Sequence, residues 1–175
     1  ESAILHSAIY AGETYDARLE QPGWNKPGFE GKGWAQAVVG ASPGITISSP
    51  VTAPVQVGES ITPKTVTRGA NGAYIFDMGQ NMVGWVTLRV KGAAGTRVRL
   101  RFAEILNPDG SIDRANLRNA DATDLYTLRG GGEEVFAPHF TFHGFKYVEV
   151  TGYPGKPDLT AITGNVVGSL NQPPT

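Results

Sequence analysis

Cysteine is absent from the 175 residues, which removes disulfides, thiolate metal sites and a cysteine nucleophile together, and leaves the cellular compartment open. An excess of either charge is missing too. Fifteen Lys and Arg stand against 16 Asp and Glu, so no overall field draws the chain to nucleic acid or to an anionic membrane. No apolar run approaches the roughly 20 residues that a membrane helix needs. No segment sustains an apolar repeat of about 3.6 residues, so long amphipathic helices are not expected. No signal peptide is visible, and residue 1 is Glu rather than Met, so the expectation is a chain that has lost a leader or belongs to a longer polypeptide.

Glycine and proline are plentiful instead. With 23 Gly and 12 Pro they make up about a fifth of the chain, while the apolar fraction is an ordinary 40%, which suits turns between short strands rather than disorder. Several stretches alternate with period two. "GWVTLRVKG" puts Val86, Leu88 and Val90 on one face with Trp85, Thr87, Arg89 and Lys91 on the other. "GTRVRLRFAEIL" sets Val98, Leu100 and Phe102 against a stripe of Arg97, Arg99 and Arg101, whose plainest reading is a solvated face and whose alternative is docking to an acidic neighbour. "AAGT" between them reads as a hairpin connection, and "RGGGEE" as a second, looser one rather than a phosphate cradle, since no Lys-Ser/Thr follows it. Further strands are expected in "KTVTR", "AYIFDMG", "DLYTLRG", "EEVFAPHFTF", "KYVEVTGY" and "LTAITGNVV".

The fold class expected is therefore all-β, an antiparallel β-sandwich over about residues 61–170. Residues 41–60 are rich in Pro, Ser, Thr and Gly and read as an extended linker. Residues 1–40 offer only one good strand, "SAILHSAIY", too little to fold alone, and read as the closing part of another β-domain less firmly held than the sandwich. Residues 171–175 read as a tail.

The residues then become recognisable. "YAGETYDARLEQPGWNKPGFEGKGW" resembles the closing segment of the N-terminal β-domain of bacterial α-L-rhamnosidases of glycoside hydrolase family 78. "FDMGQNMVGWVTLRVKGAAGTRVRLRFAEILNPDGSI" followed by "ATDLYTLRGGGEEVFAPHFTFHGFKYVEVTG" resembles the next module of that family, a concanavalin-like, jelly-roll sandwich. The resemblance implies a parent that hydrolyses terminal α-L-rhamnosyl linkages with inversion. It also implies an (α/α)6 barrel as partner, one that carries the catalytic carboxylates and lies outside this sequence. On this reading the chain is a non-catalytic scaffold fragment, with no catalytic residue, cofactor or metal of its own. The alternative is a free-standing module that binds a rhamnose-containing glycan. The family is bacterial, and the resemblance leaves both a secreted and a cytoplasmic location open.

The chemistry-bearing residues divide the same way. Glycoside hydrolysis uses two carboxylates across the scissile bond, and the acids of the sandwich mostly have plainer roles. Asp109 sits in "NPDG", a turn sequence; Asp121 and Asp124 in "NADATD" read as turn caps, without the spacing of a calcium loop; Glu133 and Glu134 are expected to face solvent. "FDMGQN" places Asp77, Gln80 and Asn81 where a strand is expected to end, as a self-bonded turn or as a polar edge facing sugar or the barrel with Trp85 nearby. "GETYDAR" gathers Glu13, Tyr15, Asp16 and Arg18, either a local carboxylate–guanidinium pair or a sugar contact. His143 in "FHGFKYVEV" lacks any GxSxG or HExxH companion and is expected to be a buried corner residue bonded to backbone, with a place at the barrel boundary as the alternative.

Overall fold

The strand that begins at "AYIFDMG" does not stop at Gly79. In the computed structural model, which describes residues 2–69 and 71–169, β5 runs unbroken from Tyr74 to Lys91 and absorbs both "FDMGQN" and "GWVTLRVKG". Its inward side buries Phe76, Met78, Met82, Val86, Leu88 and Val90. The polar trio expected at a strand end therefore lies mid-strand. Asp77 Oδ1 does accept from Gly79 N at 2.7 Å, and Gly79 takes a left-handed φ of 85°. The turn chemistry is present as a local kink, and pairing resumes beyond it.

This long strand belongs to two sets of partners. Its first part pairs with β4 (Thr65–Arg68) and with β11 (His143–Thr151), and its second with β12 (Ile162–Ser169) and β10 (Glu133–Phe136). Beyond β11 the order continues through β6 (Arg97–Ala103), β9 (Thr123–Thr127), β2 (Gly12–Asp16) and β1 (Ile4–Ala8); beyond β12 it ends at β3 (Val55–Ile61). A separate two-stranded ribbon joins β7 (Ile105–Leu106) to β8 (Ile112–Asp113). The fold is all-β, as the alternation indicates. The main core gathers Phe76, Phe102, Phe145, Leu88, Leu100 and Val148 from β5, β6 and β11, each fully buried apolar side chain contributing roughly 1.5–3 kcal/mol.

Neither expected hairpin forms. β6 pairs with β11 and β9 rather than with β5, and β10 pairs with β5 rather than with β9. "AAGT" and "RGGGEE" each carry the chain across to a different neighbour. The stretch expected as a linker over 41–60 contains β3 from Val55 onward, paired with β12 from Val55↔Ser169 to Ile61↔Gly164. The N-terminal strands also have a place on the sandwich: β2 runs parallel to β9, with Tyr15 opposite Tyr126. Gly12 makes that approach possible, since a Cβ there would stand 2.0 Å from Thr123 O, at a φ of 99°. From Gln21 to Pro54 no strand or helix forms. The tail expected over 171–175 lies outside the described residues.

Candidate functional site

Where β1 and β2 meet the chain between β10 and β11, the structure builds a buried polar network. Glu13 is 0% exposed, and its carboxylate accepts from Ser7 Oγ at 3.0 Å, His139 N at 2.9 Å and Phe140 N at 3.3 Å. His139 Nδ1 lies 2.8 Å from Glu13 Oε1. The backbone N of Glu13 donates in turn to Asp124 Oδ1 at 2.9 Å. The same Asp124 carboxylate faces His143 Nε2 at 3.1 and 3.2 Å, and the His143 ring stacks on Phe102 with centroids 4.1 Å apart.

His143 is thus buried and hydrogen-bonded, but its partner is a carboxylate and not the backbone of a corner. It opens β11 opposite Gly84. Asp124 is a buried strand residue and not a turn cap. Its position in β9 turns its side chain inward, where Glu13 N and the His143 imidazole meet it. Glu134 is a further correction. It alternates inward with Phe136, and its carboxylate accepts from Tyr126 Oη, Arg129 N and Gly130 N, which closes the glycine-rich turn, while Glu133 stays exposed. On the arginine stripe, Arg101 pairs at 2.5 Å with the buried Glu149, so part of that face is not simply solvated.

Beside the network lies a cleft of about 290 Å³ lined by Tyr15, Glu20, Tyr126, Val135, Phe136, Ala137 and His139. Tyr15 is sandwiched there, stacked on Tyr126 at 5.8 Å and on His139 at 5.4 Å. Burial, then the hydrogen bond to Glu20, pushes its phenol up to about 12. Glu20 is also held by Arg129 at 2.7 Å. Asp16 and Arg18 form the expected local pair, with Arg18 Nε and Nη2 donating at 2.9 and 2.6 Å; that bond, reinforced by Arg18 N, keeps the Asp16 carboxyl below the usual carboxylate range. "GETYDAR" therefore sends its residues to different tasks. Glu13 goes to the network, Tyr15 to the cleft, and Asp16 and Arg18 to each other.

The second predicted cluster stands apart. Asn81 is exposed on β5 and donates to Glu104 Oε1 at 2.9 Å, while Gln80 reaches Glu59 at 3.4 Å. Trp85 is half-buried on the outward side of β5, opposite Asn165. Asn116 and His139 escaped sequence reasoning because their partners, Glu104 and Glu13, lie on other elements. Among the described residues no group of three or more His, Asp or Glu is arranged to hold a metal ion.

Comparison with known proteins decides the family. Residues 67–168 match the bacterial alpha-L-rhamnosidase concanavalin-like domain, and residues 1–59 match the alpha-L-rhamnosidase N-terminal domain. The chain belongs to the bacterial α-L-rhamnosidase family. Among curated rhamnosidases, the enzyme of Streptomyces avermitilis is 54% identical over 166 residues, which cover 94% of this chain and 16% of that enzyme. One from Formosa agariphila is 42% identical over 158 residues, 87% of this chain and 16% of the relative. In solved structures, the Streptomyces avermitilis α-L-rhamnosidase complexed with L-rhamnose superposes with a TM-score of 0.91 at 52% identity, covering 96% of this chain and 16% of that one. The α-L-rhamnosidase from Dictyoglumus thermophilum does so with a TM-score of 0.91 at 38% identity, covering 96% and 19%. The rhamnosidase-family chain thus spans 16% of the length of each of these two curated relatives.

Proposed function

We propose that this chain is a non-catalytic β-module of an α-L-rhamnosidase, a scaffold for a catalytic (α/α)6 barrel elsewhere in the same polypeptide. The parent would hydrolyse terminal α-L-rhamnosyl linkages of a glycan with inversion. Residues 61–170 are read as the concanavalin-like sandwich, 1–40 as the closing part of the preceding β-domain, 41–60 as the connection and 171–175 as the lead toward the barrel. What supports the reading is that residues 67–168 and 1–59 match the family's concanavalin-like and N-terminal domains while the chain spans 16% of its relatives' length, and the chemistry of two clefts agrees with it. The Tyr15 cleft holds one carboxylate, Glu20, already engaged by Tyr15 and Arg129. The cleft of about 310 Å³ along Val66, Thr67, Arg68, Tyr74, Lys156 and Pro157 holds none. Two carboxylates flanking one bond are what the hydrolysis requires.

The expected outcome is that the 175-residue chain, assayed with an aryl α-L-rhamnoside at high protein concentration, gives no turnover above buffer. Turnover that copurifies with the chain and vanishes in Glu20→Gln overturns the reading. Calorimetry with L-rhamnose tests the binding-module alternative, since a scaffold releases no saturable heat.

A further inference from the structure

Glu104 lies between β6 and β7, half-buried, and two amides grip its carboxylate. Asn81 Nδ2 donates to Oε1 at 2.9 Å and Asn116 Nδ2 to Oε2 at 2.7 Å. Asn81 comes from mid-β5 and Asn116 from the short 3-10 turn Ala115–Leu117 after β8, so three separate elements converge on one acid. Stability does not require this, because water serves exposed amides and a carboxylate nearly as well. No ion pair to Glu104 forms among the described residues. Each of its oxygens keeps a free lone pair in a fixed direction.

The surroundings are apolar and open. Val83 on β5 is 48% exposed, and Phe142, just before β11, is 44% exposed. Gly144 sits opposite Val83 in register, and among the described residues a Cβ placed there meets just Glu104 Oε1, at 4.0 Å. A positioned carboxylate, two outward apolar side chains and a bare stretch of backbone form one surface. β12 pairs along β5 from Leu88 to Gly84, so it reaches the middle of β5 beside Val83.

We propose that this surface docks the remainder of the rhamnosidase polypeptide, which sets a guanidinium or ammonium on Glu104 and an apolar side chain against Val83 and Phe142. The proposal rests on the chain being one module of a larger enzyme, 16% of its relatives' length. A cation is the complement the site lacks, and a planar carboxylate fixed in advance suits a guanidinium in particular. An interface centre with one satisfied charge and apolar neighbours is also the composition in which a few residues carry most of the binding.

The test compares this chain with the uninterrupted polypeptide encoded with it. Carbodiimide coupling of glycine ethyl ester to Glu104 is expected to be at least about tenfold slower in the long polypeptide, with hydrogen exchange slowed at Asn81–Val83 and Phe142–Gly144. Glu104→Lys is expected to split the long polypeptide's single thermal transition into two, while the same change leaves melting of the 175-residue chain as in the parent sequence. Equal labelling in both forms, or an unsplit transition, overturns the proposal. Protection of Glu104 in the short chain by millimolar L-rhamnose overturns it in favour of a sugar site. Failure of the rhamnosidase reading shows separately, as a long polypeptide without rhamnoside turnover in which docking can still be read from the labelling.

Discussion

Glu13, fully buried, accepts hydrogen bonds from Ser7 on the paired strand and from His139, 126 residues further along the chain. Glu13→Ala leaves Ser7 Oγ, His139 N and Phe140 N without a buried acceptor, so a loss of about 3 kcal/mol or more is expected in urea unfolding, at roughly 1–3 kcal/mol per orphaned group. On the neighbouring carboxylate, His143→Leu strands Asp124 and is expected to cost about 3 kcal/mol, whereas His143→Gln keeps a donor toward it and costs about 1 kcal/mol. Tyr15 gives a pH signature. Its phenol is raised from 10.0 to about 12 by burial and Glu20, so the fold favours the neutral form. The resulting stabilisation is complete below pH 10 and is lost as pH rises through about 12. The stability of the parent sequence is therefore expected to fall more steeply across that interval than that of Tyr15→Phe, read by urea midpoints at each pH. "GETYDAR" was legible as a cluster worth attention, and the Asp16–Arg18 pair could be read from adjacency. The partners of Glu13 could not, because nothing local announces a residue that far away.

The alternating strands were legible because one face meets a core and the other does not. Val86, Leu88 and Val90, like Val98, Leu100 and Phe102, are buried as their period requires. Pairing was not legible. A short glycine-bearing connection is compatible with a hairpin and equally with a crossing to another partner, and only the competition for β11 and β5 decides between them. β3 was hidden for another reason: its Val55 and Val57 are exposed on an edge strand, so no buried face marks it. The attachment of β2 to β9 gives the test at this scale. Gly12→Ala forces a Cβ into Thr123 O at a backbone angle that disfavours it. Hydrogen exchange in the unaltered chain is expected to be as slow in β2 as in β9, and far faster over residues 21–54. In Gly12→Ala, β2 is expected to lose protection while β6 and β11 keep theirs. Fast exchange in β2 of the unaltered chain shows instead that the first strands are loosely held, as the sequence alone suggests.

Across the whole molecule the parallel contact of β2 with β9 has a consequence for how the chain is made. The first strands leave the ribosome well before their neighbours: Glu13 must wait for Asp124, His139 and Phe140. At bacterial and eukaryotic elongation rates of about 5–20 residues per second, that delay is on the order of 10 s. A two-stranded hairpin is at best marginal in water over such a time. Over that interval the nascent segment therefore carries an unclaimed Glu13 carboxylate and an open β2 edge. The order of synthesis makes the β1–β2 hairpin wait for β9 and for the segment that ends at His143 before it can find its place on the sandwich.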